Sequence, residues 1–121
     1  MQLRTFKDLK VWQKSYLLVL EIYKVSKVFP KEERFGLTSQ IRRAAVSIPS
    51  NIAEGYARSS LKQYINFLFI AYASGAELET QLMLAKDLDY FTENKFEDII
   101  GKYYEVERML MALIRSLEKK T

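Results

Sequence analysis

The chain contains no cysteine and no histidine among its 121 residues. The absence of cysteine excludes disulfides, thiolate metal sites and a cysteine nucleophile, and it is compatible with a reducing cytoplasm. The absence of histidine removes the commonest general base and the commonest transition-metal ligand. We therefore expect a protein that is not an enzyme, with no catalytic residue, no metal site and no cofactor.

Carboxylates are the remaining candidates for acid–base or metal chemistry, above all Glu54, Glu77 and Glu79. Di-iron sites in helical bundles require Glu-x-x-His pairs, which this chain cannot supply. The sequence also lacks the aspartate spacing of a calcium-binding loop and a glycine-rich phosphate loop. An oxygen-only Mg²⁺ or Ca²⁺ site is the enzymatic alternative that stays open.

Glycine and proline are scarce, with four and two copies, and no segment shows the alternating pattern of a strand. The chain is therefore predicted to be all-α, and its short connections favour an antiparallel up-down four-helix bundle. We expect one domain over residues 1–121. The predicted helices, with serine or threonine caps on the second and third, run from Phe6 or Asp8 to Phe29, from Thr38 or Ser39 to Gly55, from Ser59 or Ser60 to Leu88, and from Lys95 to Lys119.

Pro49 lies inside the second predicted helix. Proline removes one backbone hydrogen bond and crowds the preceding turn. The sequence therefore predicts a helix kinked near Pro49, or a helix in two pieces.

Long apolar runs are absent. The longest weakly polar stretch, residues 64–76, has thirteen residues, too few to span a bilayer. The first residues, MQLRTFKDLKVW, lack the basic-then-apolar layout of a signal peptide. We expect a cytoplasmic protein with no membrane association.

The charge is unevenly distributed along the chain. Residues 1–62 carry twelve Lys or Arg and five Asp or Glu, a net of +7, whereas residues 63–121 carry seven and ten, a net of −3. A basic surface attracts RNA or DNA because each neutralised phosphate releases counterions. The alternative is that the basic helices complement acidic ones within the bundle or its assembly.

The apolar faces of three helices are wider than one bundle core requires. The apolar residues of the second helix cover roughly 200° of its circumference, and residues 67–73 of the third are apolar on all sides. Because a soluble monomer rarely exposes a large apolar patch, the surplus indicates self-association or a protein partner. The alternative is a bundle packed tightly enough to hide it.

A row of polar residues follows one side of the second helix, and matching polar residues lie on the third. Ion pairs from Arg42 or Arg43 to Glu77 or Glu79 are a natural hypothesis. The row is either a recognition surface or a buried network that fixes how the two helices meet, and we favour the network. Its candidate members are Ser47, Asn51, Glu54, Glu77 and Glu79.

Three segments carry a family resemblance: FKDLKVWQKS, FPKEERFGLTSQIRRAAVSIPSNIAEGYAR and INFLFIAYASGAELETQL. They resemble the four-helix-bundle proteins encoded in intervening sequences of bacterial 23S ribosomal RNA genes, and the accessory proteins of diversity-generating retroelements look like relatives. The match covers nearly the whole chain, and residues 42–55 are its most specific part. One departure is Ala73, where relatives commonly carry glycine, so a close helix approach there is in doubt.

The resemblance implies a four-helix bundle that assembles into a ring-like homo-oligomer, typically a pentamer. The retroelement relatives bind a reverse transcriptase and nucleic acid through a basic surface, whereas the intervening-sequence members have no settled activity. Carried over to this chain, the resemblance makes basic residues candidates for phosphate contacts. These candidates are Arg42, Arg43, Arg58 and Lys62.

Together these observations predict a non-enzymatic homo-oligomeric scaffold that binds structured RNA or DNA through a basic surface. The alternative is a protein-binding adaptor with no nucleic-acid role. The two differ in their response to salt, because phosphate contacts weaken steeply as salt rises and apolar contacts do not.

Overall fold

The computed structural model describes residues 5–121, and the first four residues of the predicted domain lie outside that range. All secondary structure in the described residues is helical. The four long helices are α1 (Lys10–Ser26), α2 (Leu37–Tyr56), α3 (Leu61–Asp87) and α4 (Glu93–Glu118). Short 3-10 helices precede α1 at Phe6–Asp8 and α2 at Lys31–Glu33.

Each helix packs against its neighbours in sequence, and α1 also packs against α4. Lys14 pairs with Glu105 at 3.5 Å and Glu21 with Lys102 at 3.7 Å, so positions rise along α1 as they fall along α4. Between α2 and α3, Ser47 contacts Ser74 and Gly55 lies against Phe67, so the order is again reversed. The same holds between α3 and α4, where Glu79 accepts from Tyr104 and Lys86 pairs with Glu93. The predicted all-α, up-down four-helix bundle is confirmed, and none of the described helices is long and apolar enough to cross a membrane.

The core lies along the bundle axis and receives apolar side chains from all four helices. These side chains recur at three- and four-residue spacing, the period that places them on one face of a helix. Completely buried members include Ile22 of α1, Ile41 and Ile52 of α2, Leu68, Leu78 and Leu82 of α3, and Ile99 and Ile114 of α4.

Two helix starts depend on hydroxyl caps. Ser60 Oγ accepts a hydrogen bond from the Gln63 amide at 3.1 Å, which confirms the predicted cap of α3. Thr92 Oγ1 accepts from the Lys95 amide at 3.1 Å, so α4 begins at Glu93, two residues earlier than predicted.

The predicted cap of α2 is wrong. α2 begins at Leu37, so Thr38 and Ser39 lie inside the helix rather than before it. The orphan amide of Leu37 instead donates to Glu33 Oε1 at 2.9 Å. The Glu33 carboxylate, four residues before Leu37, therefore caps the helix in place of the expected hydroxyl group.

α2 runs unbroken through Pro49, so the alternative of a helix in two pieces is wrong. Pro49 is buried, and α2 packs against both α1 and α3. Tertiary packing on both sides outweighs the missing hydrogen bond of a single proline. The predicted kink remains a prediction.

Candidate nucleic-acid interface

Arg42 and Arg43 lie in the first turns of α2, at the end of the bundle where α1 finishes. The antiparallel turn between these helices brings Arg34 beside them. The three arginines line one open groove of about 480 Å³. Its other lining residues are Tyr23, Phe35, Thr38 and Ser39.

A second, smaller groove of about 260 Å³ shares Arg34, Thr38 and Arg42 with the first. It adds two cations, Lys27 and Lys31. Among the described residues, no Asp or Glu lines either groove. We call this cluster the basic end, and its members are Lys27, Lys31, Arg34, Arg42 and Arg43.

Arg42 has an anchoring role within the fold. Its Nε donates to Ser26 Oγ at 2.8 Å and its Nη2 donates to the Tyr23 carbonyl at 3.3 Å. The guanidinium carbon also lies 4.6 Å from the centre of the Tyr23 ring, within the range of a cation–π contact. Arg42 therefore ties the end of α1 to the start of α2 and is held in a fixed position by those contacts.

Arg43 differs from its neighbour because its side chain is exposed. Within residues 5–121, neither Arg42 nor Arg43 forms an ion pair. The predicted pairing of these arginines with Glu77 or Glu79 is therefore wrong, because Arg42 turns toward α1 rather than α3. Arg43 is the cation of α2 that is most available to an outside phosphate.

Glu33, in the same connection as Lys31 and Arg34, does not line either groove. Its Oε1 accepts from the Leu37 amide, and its Oε2 accepts from the Tyr90 hydroxyl at 2.7 Å. The hydrogen bond from Leu37, followed by that from Tyr90, lowers the pKa of Glu33 below its ordinary value. Glu33 is thus bonded to the helix start and to Tyr90, and within residues 5–121 none of the five cations forms an ion pair.

Arg58 and Lys62 do not join the basic end. They lie sixteen and twenty residues after Arg42, near the opposite end of α2, about 24 Å away for Arg58 at the helical rise of ~1.5 Å per residue. Arg58 pairs with Glu54 at 3.8 Å and lies 4.7 Å from the centre of the Phe67 ring. The four candidates from the sequence therefore occupy two ends of the bundle.

Sequence reasoning did not single out Arg34, Lys27 and Lys31. All three were part of the basic charge of the first half. They lie just after α1 and in a connection that carries Glu32 and Glu33 as well. Only the antiparallel turn shows that the cations face the grooves while Glu33 does not.

Part of the predicted polar network is present. Asn51 Nδ2 donates to the Ser47 carbonyl at 2.8 Å and to Ser47 Oγ at 2.9 Å. Ser47 Oγ in turn lies 2.8 Å from Ser74 Oγ of α3. These three side chains join α2 to α3 by hydrogen bonds that are half-buried.

The three predicted carboxylates have other partners. Glu54 pairs with Arg58, Glu77 accepts a long hydrogen bond of 3.4 Å from Gln81, and Glu79 accepts from the Tyr104 hydroxyl at 2.7 Å. They therefore do not converge on one site. The described residues hold no group of three or more His, Cys, Asp or Glu side chains arranged to bind a metal ion.

Apolar surface is exposed on two sides of the bundle. A groove of about 370 Å³ between α1 and α2 is lined mainly by aromatic and aliphatic side chains. Along α3, several large apolar side chains also face outward. The groove includes Trp12, Tyr16, Leu20 and Val46, and the α3 side chains are Phe69, Ile70, Met83 and Leu84.

Comparison with known proteins gave two findings and one negative result. The family model described as "23S rRNA-intervening sequence protein" matches residues 7–112. The chain is also similar to a solved structure, a protein with unknown function from the S23 ribosomal protein family of Bacteroides thetaiotaomicron VPI-5482. The two share 28% identity with a TM-score of 0.80, over 87% of this chain and 95% of that one. No curated protein matches the chain.

Proposed function

The chain belongs to the 23S rRNA-intervening sequence protein family, and from that premise we propose that it is a non-enzymatic homo-oligomeric scaffold that binds structured RNA or DNA. One observation carries the nucleic-acid part of the proposal. Five cations gather at one end of the bundle, around two adjoining grooves whose described lining contains no carboxylate. Such a surface suits phosphate oxygens, which dominate the affinity of proteins for nucleic acids.

The contacts available at the basic end are contacts to phosphate rather than to base edges. Arginine presents a planar fork of donors that matches phosphate, and lysine adds a flexible point charge. We therefore expect binding that depends little on sequence and strongly on salt.

The test is a pair of charge reversals that change the net charge equally. Arg43→Glu removes the most available cation of the basic end without breaking the contacts of Arg42. Arg115→Glu, on the exposed side of α4, is the matched control. We expect fluorescence anisotropy with a labelled RNA hairpin at ~50 mM salt to show binding weakened by about tenfold or more for Arg43→Glu and little changed for Arg115→Glu.

The salt dependence separates this function from the adaptor alternative. Raising salt from ~50 to ~200 mM should weaken binding steeply for the unchanged protein, and less steeply for Arg43→Glu, because one fewer counterion is released. If both reversals weaken binding equally, the effect is one of net charge and the basic end is not the site. If no RNA binds at low salt, the nucleic-acid proposal fails and the adaptor takes its place.

The homo-oligomeric part of the proposal is supported by the apolar groove between α1 and α2 and by the apolar side chains along α3. Large exposed apolar surfaces on a protein commonly mark sites of association. A ring brings several basic ends together, and linked sites raise overall affinity without any new contact. The family resemblance suggests five subunits.

A further inference from the structure

Phe35 is the most exposed large apolar residue in the described chain, with 87% of its surface accessible. It lies in the turn just before α2 and lines the larger groove of the basic end. The guanidinium carbon of Arg34 is 5.3 Å from the centre of its ring. By contrast, Phe29 and Phe91 at the same end of the bundle pack against other rings.

An isolated exposed apolar residue is common and needs no explanation by itself. Phe35 differs because of its surroundings, since the groove that it lines also holds Arg34, Arg42 and Arg43. Sites that bind single strands of nucleic acid combine these two features, with cations for the backbone and an aromatic face on which a base stacks.

We propose that Phe35 is a stacking platform for an unpaired base, so that the basic end selects single-stranded or looped-out nucleotides over duplex. This inference rests on the proposed function and narrows its ligand. A duplex keeps the faces of its bases covered by stacking, whereas an unpaired base offers a free face to an aromatic ring. In a duplex, only the phosphate contacts of the five cations remain.

The size of the groove also fits one nucleotide rather than a helix of nucleic acid. Its volume of about 480 Å³ falls within the range of ~300–1,000 Å³ found for small-ligand sites. Because Phe35 lines the same groove as the three arginines, the phosphate of a base stacked on Phe35 is within reach of their guanidinium groups.

The experiment compares Phe35→Leu, which keeps an apolar side chain but removes the ring, with Phe35→Tyr, which keeps the ring. The probes are a labelled single-stranded oligoribonucleotide and a blunt RNA duplex of equal length. We expect Phe35→Leu to weaken binding of the single strand by about 5- to 100-fold and to change duplex binding little. Phe35→Tyr should bind like the unchanged protein.

Binding measured at several salt concentrations separates the stacking role of Phe35 from the phosphate contacts of the proposed function. Loss of a stacking contact leaves the dependence on salt unchanged, whereas Arg43→Gln should reduce it for both probes. Salt-dependent binding that Phe35→Leu does not weaken overturns the stacking role and leaves the proposed function standing. Absence of any binding to either probe at low salt overturns both.

Stability and mass measurements on Phe35→Leu complete the design. Because Phe35 is 87% exposed, thermal unfolding of Phe35→Leu should match that of the unchanged protein. A change in oligomeric state would show that Phe35 covers a neighbouring copy instead, and it would overturn the inference.

Discussion

Glu33 shows how one side chain can join three parts of the chain. Its carboxylate accepts from the start of α2 and from Tyr90, which follows α3. The ionised form is the better acceptor in both hydrogen bonds, which is why the pKa of Glu33 is lowered. Protonation of this group should therefore weaken the end of the bundle that carries the cations.

The corresponding prediction concerns stability against pH. The contribution of Glu33 is present above its ordinary, unfolded-state pKa and is lost as the pH falls through the lower folded-state pKa. Glu33→Gln should lower Tm at neutral pH, and its Tm should fall less than that of the unchanged protein between about pH 5 and pH 3. Thermal unfolding followed by circular dichroism across that window is the measurement.

Glu32→Gln is the matched control, because it makes the same substitution one residue earlier, at an exposed side chain. It should leave Tm at neutral pH nearly unchanged. Parallel pH profiles for Glu33→Gln and the unchanged protein would mean that other carboxylates cause the acid sensitivity.

For single residues, the sequence predicts those roles that depend on partners a few residues away. The cap of α3 was predicted at Ser59 or Ser60, and Ser60 is the cap because its partner, the Gln63 amide, lies only three residues away. Glu33 was not predicted as a cap, because its role depends on Tyr90, which is distant in sequence. The sequence treated Arg42 and Arg43 alike, but only Arg42 is tied to α1, and that difference depends on how α1 passes α2.

At the level of the helices, the two glycines of α3 and α4 have opposite effects on stability. A Cβ at Gly75 would lie 2.8 Å from the ring Cε1 and the hydroxyl oxygen of Tyr103, a side chain only 2% exposed. A Cβ at Gly101 would meet no atom within 4 Å. Gly75 therefore allows α3 and α4 to approach closely, and Gly101 only weakens its helix.

We predict opposite effects for one substitution at these two positions. Gly75→Ala should destabilise the protein by about 1–3 kcal/mol, because the buried Tyr103 ring must move. Gly101→Ala should stabilise it by about 0.5–1 kcal/mol, because alanine is the better helix former. Urea unfolding at one protein concentration measures both, and equal signs would contradict the assigned packing.

The helices themselves were predictable because each follows a three- and four-residue apolar spacing over many turns. The contacts between the helices were harder to predict from the sequence. At Ala73, where relatives commonly carry glycine, the sequence put a close helix approach in doubt. Ala73 is exposed, and the tight contact lies at Gly75. Likewise, Pro49 predicts an interruption of α2 by local rules alone, and packing against α1 and α3 keeps the helix whole.

For the whole molecule, the basic character of the first half was visible in the sequence, but its concentration at one end was not. Residues 27–43 surround a single turn of an antiparallel pair, so cations far apart in sequence face the same grooves. The same topology places Arg58 and Lys62 at the other end. Charge count therefore predicts a kind of partner, and connectivity decides where that partner can bind.

The last prediction concerns assembly through the apolar groove of α1 and α2. Val46 is 38% exposed there, beside Tyr16 and Leu20, so a carboxylate at this position would be buried without a partner in any interface that covers the groove. Light scattering on nuclease-treated samples should give a mass several times the 14.2 kDa chain for the unchanged protein and a smaller mass for Val46→Glu. Val28→Glu, at a valine that is 72% exposed outside the groove, should assemble normally. A mass of one chain for the unchanged protein would contradict self-association, and equal loss in both variants would place the interface elsewhere.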